Sequence, residues 1–376
     1  MKEKENVKKC CLISLIKSEN YGANLQGFAL YYFIRETFQT LDVVVVDLLR
    51  PGQKGYRLTK GEISISQFRQ KISSFIFNLR SFRAHRLREK RFRLFLQDIV
   101  FTPTYHCVAE LFAHYPKCDI YITGSDQVWC PDRDFDISPY LLEFVKHPAD
   151  KISYAPSMST TSLSPDTALS FISALSGFKH ISVREISDYN LLTPLLPQKN
   201  ISVVADPVLL LTSDYWEKIT ESVPAKDYVL LYTIGPDSLL LRYALEYCER
   251  KHLKLYFFRP QTNKTFRSRY YRSINDAGPR EMLGWIKSAK LVITTSYHGI
   301  LMSLLLRTPV LFYASKYTTR FDTIVNLLRL EKHYLTSFDY FPEIDSLVIS
   351  EETKVAIEKI ARESREYLTS AINDCL

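Results

Sequence analysis

Hydroxyl side chains and a histidine stand together between Thr294 and Gly299, in the last third of the chain. The apolar run Leu291 to Ile293 before them predicts a buried strand, and Ile300 to Leu306 after them predicts an apolar helix. A further strand is predicted at Val310 to Tyr313, so the segment is typical of a βαβ unit. Ligands of such units bind at the carboxyl ends of the strands, where backbone N–H groups of the next helix face an anion.

A group of basic and hydroxyl residues follows the second of these strands and is expected to reach the same edge of the sheet. It consists of Lys316, Thr318, Thr319 and Arg320. Together with His298, these side chains suit a small dianionic or phosphorylated ligand. A structural explanation is also open, because hydroxyl residues before a helix are common N-caps and a histidine after a strand is often a capping or core residue.

The chain has 376 residues, which favours two domains, and its 49 Lys and Arg against 41 Asp and Glu give a net charge of +8. This positive charge favours an anionic partner, such as a phosphorylated substrate, a lipid diphosphate or an acidic membrane surface. No nucleic-acid-binding motif accompanies it. Glycine-rich phosphate loops are excluded, because neither GxGxxG nor GxxxxGK[ST] occurs.

The seven cysteines show no CxxC pair and no zinc-ligand spacing, which predicts reduced thiols and no metal site. The charged N-terminal stretch runs directly into the strand-like segment Cys11 to Ile16, which is too short for the apolar region of a secretion signal. No apolar run approaches the length of a membrane span. These features predict a cytoplasmic protein that at most contacts a membrane from that side.

The first half of the chain repeats the arrangement of a buried strand followed by polar residues. Cys10 to Ile16 and Leu41 to Asp47 are apolar runs of the kind found in parallel sheets covered on both faces, with a helix predicted between them from about Leu25 to Phe38. Four more short strands are predicted at Asp119–Thr123, Lys151–Ala155, Ile181–Val183 and Ser202–Ala205. Each ends on polar residues, which predicts that these residues share one edge of the sheet and form a site.

The fold class predicted from this pattern is α/β, with two Rossmann-like doubly wound domains. The first domain covers residues 1–213 and contains an insertion of basic helices at about 53–100; the second covers 214–349. A charged helix at 350–376 is expected to pack back on the first domain. In the insertion, arginines alternate with apolar residues from Phe68 to Leu96, which favours a solvated helical face; contact with an anionic membrane or a lipid diphosphate is the alternative.

Seven short motifs, in order between Cys11 and Arg320, resemble those of the polysaccharide pyruvyl transferase family. They are Asn20–Gln26, Gly124–Trp129, Ser153–Ala155, Val183–Glu185, Asp206–Pro207, Gly278–Pro279 and Thr294–Gly299. The resemblance implies two domains that face each other across a cleft, as in GT-B glycosyltransferases. It also implies that the first domain holds the acceptor and the second holds the donor.

Members of this family transfer the pyruvyl group of phosphoenolpyruvate onto two hydroxyls of a sugar, which forms a cyclic ketal and releases phosphate. Their acceptors are bacterial cell-surface polysaccharides, such as capsule or exopolysaccharide, or the lipid-linked precursors. The resemblance therefore implies phosphoenolpyruvate as a co-substrate, no cofactor, and a sugar acceptor that is free or linked to undecaprenyl diphosphate. It also allows peripheral contact of a cytoplasmic protein with the inner membrane.

On the donor side, this chemistry needs an acid or base, which we assign to His298, and a cation for the carboxylate or phosphate, which we assign to Arg184. An ion pair with Glu185 is the structural alternative for Arg184. The other donor-binding residues predicted are Thr295, Ser296, Gly299, Lys316 and Arg320.

On the acceptor side, Asp126 is predicted to accept a proton from a sugar hydroxyl, and the other polar residues are predicted to bind the sugar. The predicted acceptor-binding residues are Asn20, Tyr21, Asn24, Ser125, Asp126, Gln127 and Trp129. The structural alternatives are helix caps for Asp126 and Asn24 and a core position for Trp129. Asp206 is predicted to fix a turn before Pro207.

One position departs from the family, because some branches carry an arginine two residues before the histidine, where this chain has Ser296. Lys316, Arg320 or Arg184 is expected to supply the missing charge, or the donor differs. Two other functions stay open. A glycosyltransferase of the same plan would need a carboxylate for a nucleotide ribose, and no convincing one lies near this segment; a non-catalytic glycan-binding protein would explain the missing arginine.

Overall fold

The structure is a computed structural model that describes residues 7–57, 79–235, 237–258, 270–314 and 318–376. Lys316, predicted to contact the donor, lies outside these residues, as does the part of the predicted basic insertion between residues 58 and 78. Within the described residues, no helix combines the length and the apolar character that crossing a membrane requires.

The first sheet has four parallel strands in the order β2-β1-β3-β4. They are β1 (Lys9–Ile13), β2 (Asp42–Val45), β3 (Ile120–Thr123) and β4 (Asp150–Ser153). A parallel pair, β5 (Ile181–Val183) and β6 (Ile201–Val203), continues beside β4 through a single bridge from Ile152 to His180. All six strands run in one direction, so their carboxyl ends share one edge.

The second sheet has five parallel strands in the order β11-β10-β7-β8-β9. They are β7 (Tyr228–Tyr232), β8 (Lys254–Phe258), β9 (Arg272–Ile274), β10 (Leu291–Thr294) and β11 (Val310–Phe312). Four of these strands coincide with apolar runs in the sequence. The sequence does not predict the edge strand β9, because its three residues include only one apolar side chain and carry no strand pattern.

Eleven α-helices connect and cover these strands in the described part of the chain. They are α1 (Tyr21–Thr37), α2 (Leu79–Phe95), α3 (Val108–His114), α4 (Pro165–Leu175), α5 (Ile186–Leu192), α6 (Ser213–Ile219), α7 (Ser238–Lys251), α8 (Pro279–Lys287), α9 (Tyr297–Leu305), α10 (Thr318–Leu328) and α11 (Glu351–Asn373). Parallel strands joined by helices confirm the predicted α/β fold class with two Rossmann-like domains.

Two helices begin earlier than their apolar patterns indicate, because polar residues cap them. The Asn20 side chain accepts a hydrogen bond from a backbone N–H of the first turn, so α1 begins before the predicted start at Leu25. Ser296 caps α9 in the same way, so that helix begins before Ile300. His298 therefore lies in the first turn of α9 instead of in a loop.

The terminal helix α11 is joined to the first domain by hydrogen bonds in its second half. Ser364 Oγ accepts a hydrogen bond from the Ala205 N–H at 2.8 Å. The Arg365 guanidinium donates to the carbonyls of Leu209 and Leu210, both at 3.3 Å. The helix thus contacts the segment that follows β6, while the domain boundaries at 213 and 349 stay a prediction.

The first turn of α1 joins the two domains through one buried tyrosine. The Tyr21 hydroxyl donates a hydrogen bond to the Ala277 carbonyl at 2.5 Å. Its ring meets Phe92 of α2 and Phe258 of β8 edge to face, at centroid distances of 4.7 and 4.8 Å. Because the side chain is buried, these contacts hold the start of α1 against the second domain.

We expect Tyr21→Ala to lower the free energy of unfolding by about 3–5 kcal/mol, because it removes a buried aromatic ring from the contact between the domains. Tyr21→Phe should cost only about 1 kcal/mol, since it keeps the ring and loses one hydrogen bond. Urea unfolding followed by tryptophan fluorescence measures both. The exposed Tyr340 is the control, and Tyr340→Ala should change stability by less than about 0.5 kcal/mol. Equal losses at the two positions would contradict this role of Tyr21.

Candidate functional site

The carboxyl ends of several strands bring charged side chains together between the two sheets. Asp126 follows β3, Arg184 follows β5 and Asp206 follows β6, while His298 follows β10 and Arg320 lies in the first turn of α10. These side chains interact electrostatically with one another, as the ion pairs and pKa shifts below show. The predicted convergence of strand ends therefore occurs, and it produces a buried cluster of charges.

Arg184 is the most extensively paired cation of this cluster. Its Nε lies 2.7 Å from Glu185 Oε1 and its Nη1 lies 2.9 Å from Asp206 Oδ2. The Tyr297 ring covers the guanidinium at 4.5 Å from the ring centroid. The remaining nitrogen, Nη2, is buried and has no hydrogen-bond partner among the described residues. The ion pair with Glu185 is thus present, yet one N–H group is left for an anion.

His298 is held between a carboxylate and a glycine. Its Nε2 lies 3.2 Å from Asp206 Oδ2, an ion-pair distance, although the angle does not meet that of a hydrogen bond. On the other side, the ring lies against Gly22 of α1, where an added Cβ would come within 2.1 Å of the imidazole Nδ1. Any side chain at position 22 would displace the ring, so the first domain orients a histidine of the second.

Asp206 has a larger role than the turn predicted for it. Its Oδ1 does accept a hydrogen bond from the Val208 N–H at 3.1 Å, which stabilises the predicted turn. Its Oδ2, however, pairs with both Arg184 and His298. Sequence reasoning missed this second role, although the position of Asp206 at the end of a strand could have indicated it.

The carboxyl groups of Asp206 and Asp126 are ionised despite their burial. Burial raises the pKa of Asp206, but the opposing charges of His298 and Arg184 outweigh it and hold this pKa below its ordinary value. The same balance lowers the pKa of Asp126, where burial is opposed by His298, Arg184 and Arg133. Neither aspartate is therefore a proton donor near neutral pH.

A neighbouring carboxyl group behaves in the opposite way. Burial raises the pKa of Asp188 well above its usual range, and the adjacent Glu185 carboxylate raises it further. Asp188 Oδ2 also accepts a hydrogen bond from the Met158 N–H at 2.9 Å. Asp188 is thus electrostatically coupled to Glu185, the carboxylate that pairs with Arg184.

Arg320 and Thr319 present polar atoms that no described residue satisfies. Arg320 Nε and Thr319 Oγ1 are buried without a hydrogen-bond partner. Burial lowers the pKa of Arg320, and the like charge of Arg184 lowers it further, while Asp126 opposes both effects. Two guanidinium groups that repel each other and keep unpaired N–H groups form a site suited to an anion.

The hydroxyl residues before His298 are occupied by the backbone. Thr294 Oγ1 donates to the Tyr232 carbonyl at 2.7 Å, and Thr295 Oγ1 accepts from the Ile234 N–H at 3.0 Å. Ser296 Oγ accepts from the Gly299 N–H at 3.1 Å. Thr294 and the two predicted donor-binding residues Thr295 and Ser296 therefore fix the shape of the turn, and Gly299 allows close approach to Tyr232.

The Gly124–Trp129 motif is largely engaged within the first domain. Ser125 Oγ donates to the Ala155 carbonyl at 2.6 Å, and the Gln127 amide donates to Ser159 Oγ at 2.7 Å and accepts from Arg133. Asp126 has the left-handed backbone conformation, with φ of 70°, which turns the chain at the strand end. Of this motif, Asp126 alone interacts with the buried charge cluster.

Trp129 does not reach the site, contrary to its predicted role in sugar binding. Its indole N–H donates to the Tyr140 carbonyl at 3.0 Å, and its ring packs edge to face with Phe171 and Phe178. The side chain is fully buried, so neither face is open to a sugar ring. The tryptophan belongs to the core of the first domain, because its large apolar surface is best satisfied there.

The predicted residues of the Asn20–Gln26 motif have different surroundings. One of them lies at the contact between the two domains, and another lines an open cleft. Tyr21 is buried, and its hydroxyl donates a hydrogen bond to the Ala277 carbonyl. Asn20 is exposed and caps α1. Asn24 donates to the Ser18 and Asn20 carbonyls, both at 2.6 Å, while its Oδ1 is buried without a partner.

A cleft of about 850 Å³ opens beside Asn24 in the first domain. It lies among the loops that follow β1, β2 and β3 and is bounded on one side by α2. Its lining combines cations with aromatic rings and includes Lys17, Arg50, Lys54, Arg93, Phe101 and Phe135. A cleft of this size and mixed character accommodates a ligand of one or more sugar units.

One group of possible metal ligands occurs in the described residues, namely Glu19, His85 and Glu89. Arg88 contacts two of the three, because its Nη2 lies 2.6 Å from Glu19 Oε2 and 3.1 Å from His85 Nδ1. A guanidinium in that position repels a metal ion, so these residues form an ion-pair cluster.

Solved structures with a similar fold include a putative UDP-N-acetylglucosamine 2-epimerase from Listeria monocytogenes. It has 12% sequence identity and a TM-score of 0.54, covering 94% of this chain and 90% of its own. A functionally uncharacterised protein from Klebsiella pneumoniae has 13% identity and a TM-score of 0.48, covering 88% of this chain and 94% of its own. Medicago truncatula UGT71G1 complexed with UDP-glucose has 10% identity and a TM-score of 0.45, covering 97% and 95%.

The similarity to the Listeria monocytogenes structure concerns the fold alone and supports the GT-B arrangement of two facing Rossmann-like domains. A comparison with curated protein sequences gave no match. The family model of polysaccharide pyruvyl transferases matches residues 20–317, a span that contains every predicted site residue except Arg320. With the cluster of strand-end charges in place, this match over most of the chain assigns the protein to the polysaccharide pyruvyl transferase family.

Proposed function

We propose that the protein transfers the pyruvyl group of phosphoenolpyruvate onto two hydroxyls of a sugar that belongs to a cell-surface polysaccharide or its lipid-linked precursor. The observation that carries this proposal is the pair of incompletely bonded guanidinium groups, Arg184 and Arg320, beside the ion-paired His298. The two arginines can bind an anion, and His298 can transfer a proton.

The reaction begins with protonation of the methylene carbon of phosphoenolpyruvate. This step leaves a cation at C2, which one sugar hydroxyl attacks while phosphate leaves; the second hydroxyl then closes the cyclic ketal. Of the two hydroxyl protons, one replaces the proton delivered to the methylene carbon and the other leaves with phosphate. The chain must therefore supply a proton donor, a base for the sugar and cations for the donor.

His298 is the side chain best suited to deliver the first proton. Imidazole exchanges protons near neutral pH, whereas the pKa values of Asp206 and Asp126 lie below their ordinary range. The Asp206 carboxylate lies 3.2 Å from Nε2 and can hold the ring in position. Asp126, as a carboxylate, can accept a proton from the sugar hydroxyl.

Arg184 and Arg320 are the cations that we assign to the negative charges of phosphoenolpyruvate. The free Nη2 of Arg184 and the free Nε of Arg320 are available for the carboxylate and the phosphate, and the Thr319 hydroxyl adds a further donor. Ser296, which stands where other branches carry arginine, is used as a helix cap. Arg320 is therefore our choice for the replacement cation. It lies close enough to Arg184 for the like charge of Arg184 to lower the pKa of Arg320.

The cleft beside Asn24 is our choice for the acceptor site. Its lining includes Lys17 and Arg50, which suit phosphate groups, and the aromatic rings suit sugar faces. All seven cysteines are buried free thiols, which supports a reducing, cytoplasmic location for the reaction. An undecaprenyl-diphosphate-linked acceptor would bring the protein to the inner membrane.

A thermal-shift titration with phosphoenolpyruvate tests the donor site, because a ligand that binds only the native state raises the melting temperature. Arg320→Ala should weaken phosphoenolpyruvate binding about 10- to 150-fold, since it removes a charge-assisted hydrogen bond. The exposed Arg242 on α7 is the control, and Arg242→Ala should bind as the unaltered chain does. Stabilisation by nucleotide sugars and none by phosphoenolpyruvate would replace the proposal with glycosyl transfer.

The role of Asp206 predicts a specific dependence of stability on pH. Because its pKa is lower in the folded chain than the ordinary 3.8, its stabilising contribution is present above that value and is lost as the pH falls below it. Asp206→Asn should cost about 3–5 kcal/mol near neutral pH, since it leaves Arg184 and His298 short of a counter-charge.

This effect is measured by the melting temperatures of the unaltered protein and of the Asp206→Asn variant as the pH is lowered through 3.8. The difference between the two melting temperatures should become smaller. The exposed Asp322 is the control, and Asp322→Asn should keep a small and constant gap. A gap for Asp206→Asn that does not change with pH would show that the carboxylate charge has no part in holding the site.

Gly22 should control the position of His298. Gly22→Ala places a methyl group where the ring lies, so we expect pyruvyl transfer to slow by about 100-fold or more while the fold is kept. Phosphoenolpyruvate-dependent release of phosphate, with an acceptor chosen by screening sugars, measures the rate. Gly177→Ala, whose added Cβ would have only one contact, at 3.6 Å, is the control. Equal rates for the two variants would remove Gly22 from the site.

A further inference from the structure

Helix α2 presents two chemically different faces. The buried face carries Arg88, Phe92 and Phe95, which pack into the first domain. The opposite face is exposed and carries the side chains of Phe82, Arg83, Arg86, Leu87, Lys90, Arg93 and Leu94. Three of these side chains are large and apolar, since Phe82, Leu87 and Leu94 are 47%, 39% and 48% exposed, and they share this face with the cations.

The charge of the exposed face is strongly positive. Four cations stand against one carboxylate, Glu89, which itself lies 3.6 Å from His85 Nε2. Among the described residues, Arg83, Lys90 and Arg93 form no ion pair, and the Arg86 guanidinium lies over the Phe82 ring at 5.1 Å. These cations are therefore not neutralised by neighbours within the described part of the chain.

We propose that this face of α2 docks on the surface of an anionic lipid bilayer. Cations interspersed with aromatic and aliphatic side chains match both layers of such a surface, because the cations meet lipid phosphates and the apolar groups enter the boundary with the acyl chains. A nucleic-acid backbone would use the cations and leave the three apolar side chains exposed to water. The combination therefore favours lipid over nucleic acid.

The docking face borders the cleft assigned above to the acceptor. Arg93 belongs both to the exposed face and to the cleft lining, and Glu89, Phe92 and Leu96 line the cleft from the adjacent flank of the helix. If α2 lies on a bilayer, the cleft opens beside the lipid surface. This placement would let a lipid-linked sugar reach the cleft without leaving the membrane. This part of the inference rests on the proposed function.

Co-sedimentation of the full chain with vesicles tests the proposal. We expect binding to phosphatidylcholine vesicles that contain roughly one third phosphatidylglycerol, weaker binding as salt is added, and little binding to phosphatidylcholine alone. Arg86→Glu combined with Lys90→Glu should lower the partition coefficient by at least about 30-fold. Leu87→Ser combined with Leu94→Ser should lower it by about 10-fold or more.

Matched controls come from the exposed face of α11. Lys359→Glu combined with Arg362→Glu reverses the same number of charges at side chains that are each 66% exposed. Val355→Ser removes an exposed apolar side chain from the same helix. Both controls should sediment with anionic vesicles as the unaltered chain does.

Three results would overturn the proposal. They are no binding to anionic vesicles, equal binding to neutral ones, or equal losses in the α2 charge variant and its α11 control. Preferential binding of an oligonucleotide that depends on Arg86 and Lys90 but not on Leu87 and Leu94 would assign the face to nucleic acid instead.

The same variants separate this inference from the proposed function. Stabilisation by phosphoenolpyruvate should be unchanged in the α2 variants, because none of the altered residues lies in the charge cluster. Vesicle binding without any stabilisation by phosphoenolpyruvate would support membrane docking by α2 and contradict the proposed pyruvyl transfer. A response to phosphoenolpyruvate without vesicle binding would do the reverse.

Discussion

The buried carboxylate of Asp206 is the charge on which the site depends. One of its oxygens lies 2.9 Å from an Arg184 nitrogen and 3.2 Å from the His298 imidazole. A buried charge without partners costs several kcal/mol, so the strand ends that carry Asp206 and Arg184 require the helix that carries His298. Bringing the domains together and completing these ion pairs are therefore one physical requirement, and Gly22 permits it by leaving room for the ring.

Hydrogen bonding distinguishes the hydroxyl groups around His298 from the guanidinium groups near it. The hydroxyls of Thr294, Thr295 and Ser296 satisfy backbone groups at the end of β10 and the start of α9, where unpaired N–H and carbonyl groups would otherwise be buried. In the proposed function, the contacts with the anionic donor are therefore assigned to the guanidinium groups. A chain that lacks the arginine found two residues before the histidine in some relatives can still gather positive charge, since α10 brings Arg320 to the same edge.

The first domain has two exposed features that the second domain does not share in the described part of the chain: the cleft beside Asn24 and the basic, partly apolar face of α2. Both use the insertion that interrupts the Rossmann-like pattern. This arrangement keeps the two groups of charges apart, because the cluster around Asp206 is buried between the domains while the cations of α2 face outward. A substrate that is hydrophilic at one end and lipidic at the other would match this separation.

The sequence by itself determined ten of the eleven parallel strands, the fold class and the position of His298 and Arg184 at strand ends, because apolar runs and polar turns are local patterns. Helix starts moved by a turn, since caps such as Asn20 and Ser296 extend a helix beyond its apolar stripe. Only the tertiary structure decided which polar residues meet. It placed Trp129 in the core, gave Asp206 its two partners and set Gly22 against His298, because contacts between residues far apart in the chain leave no local pattern to read.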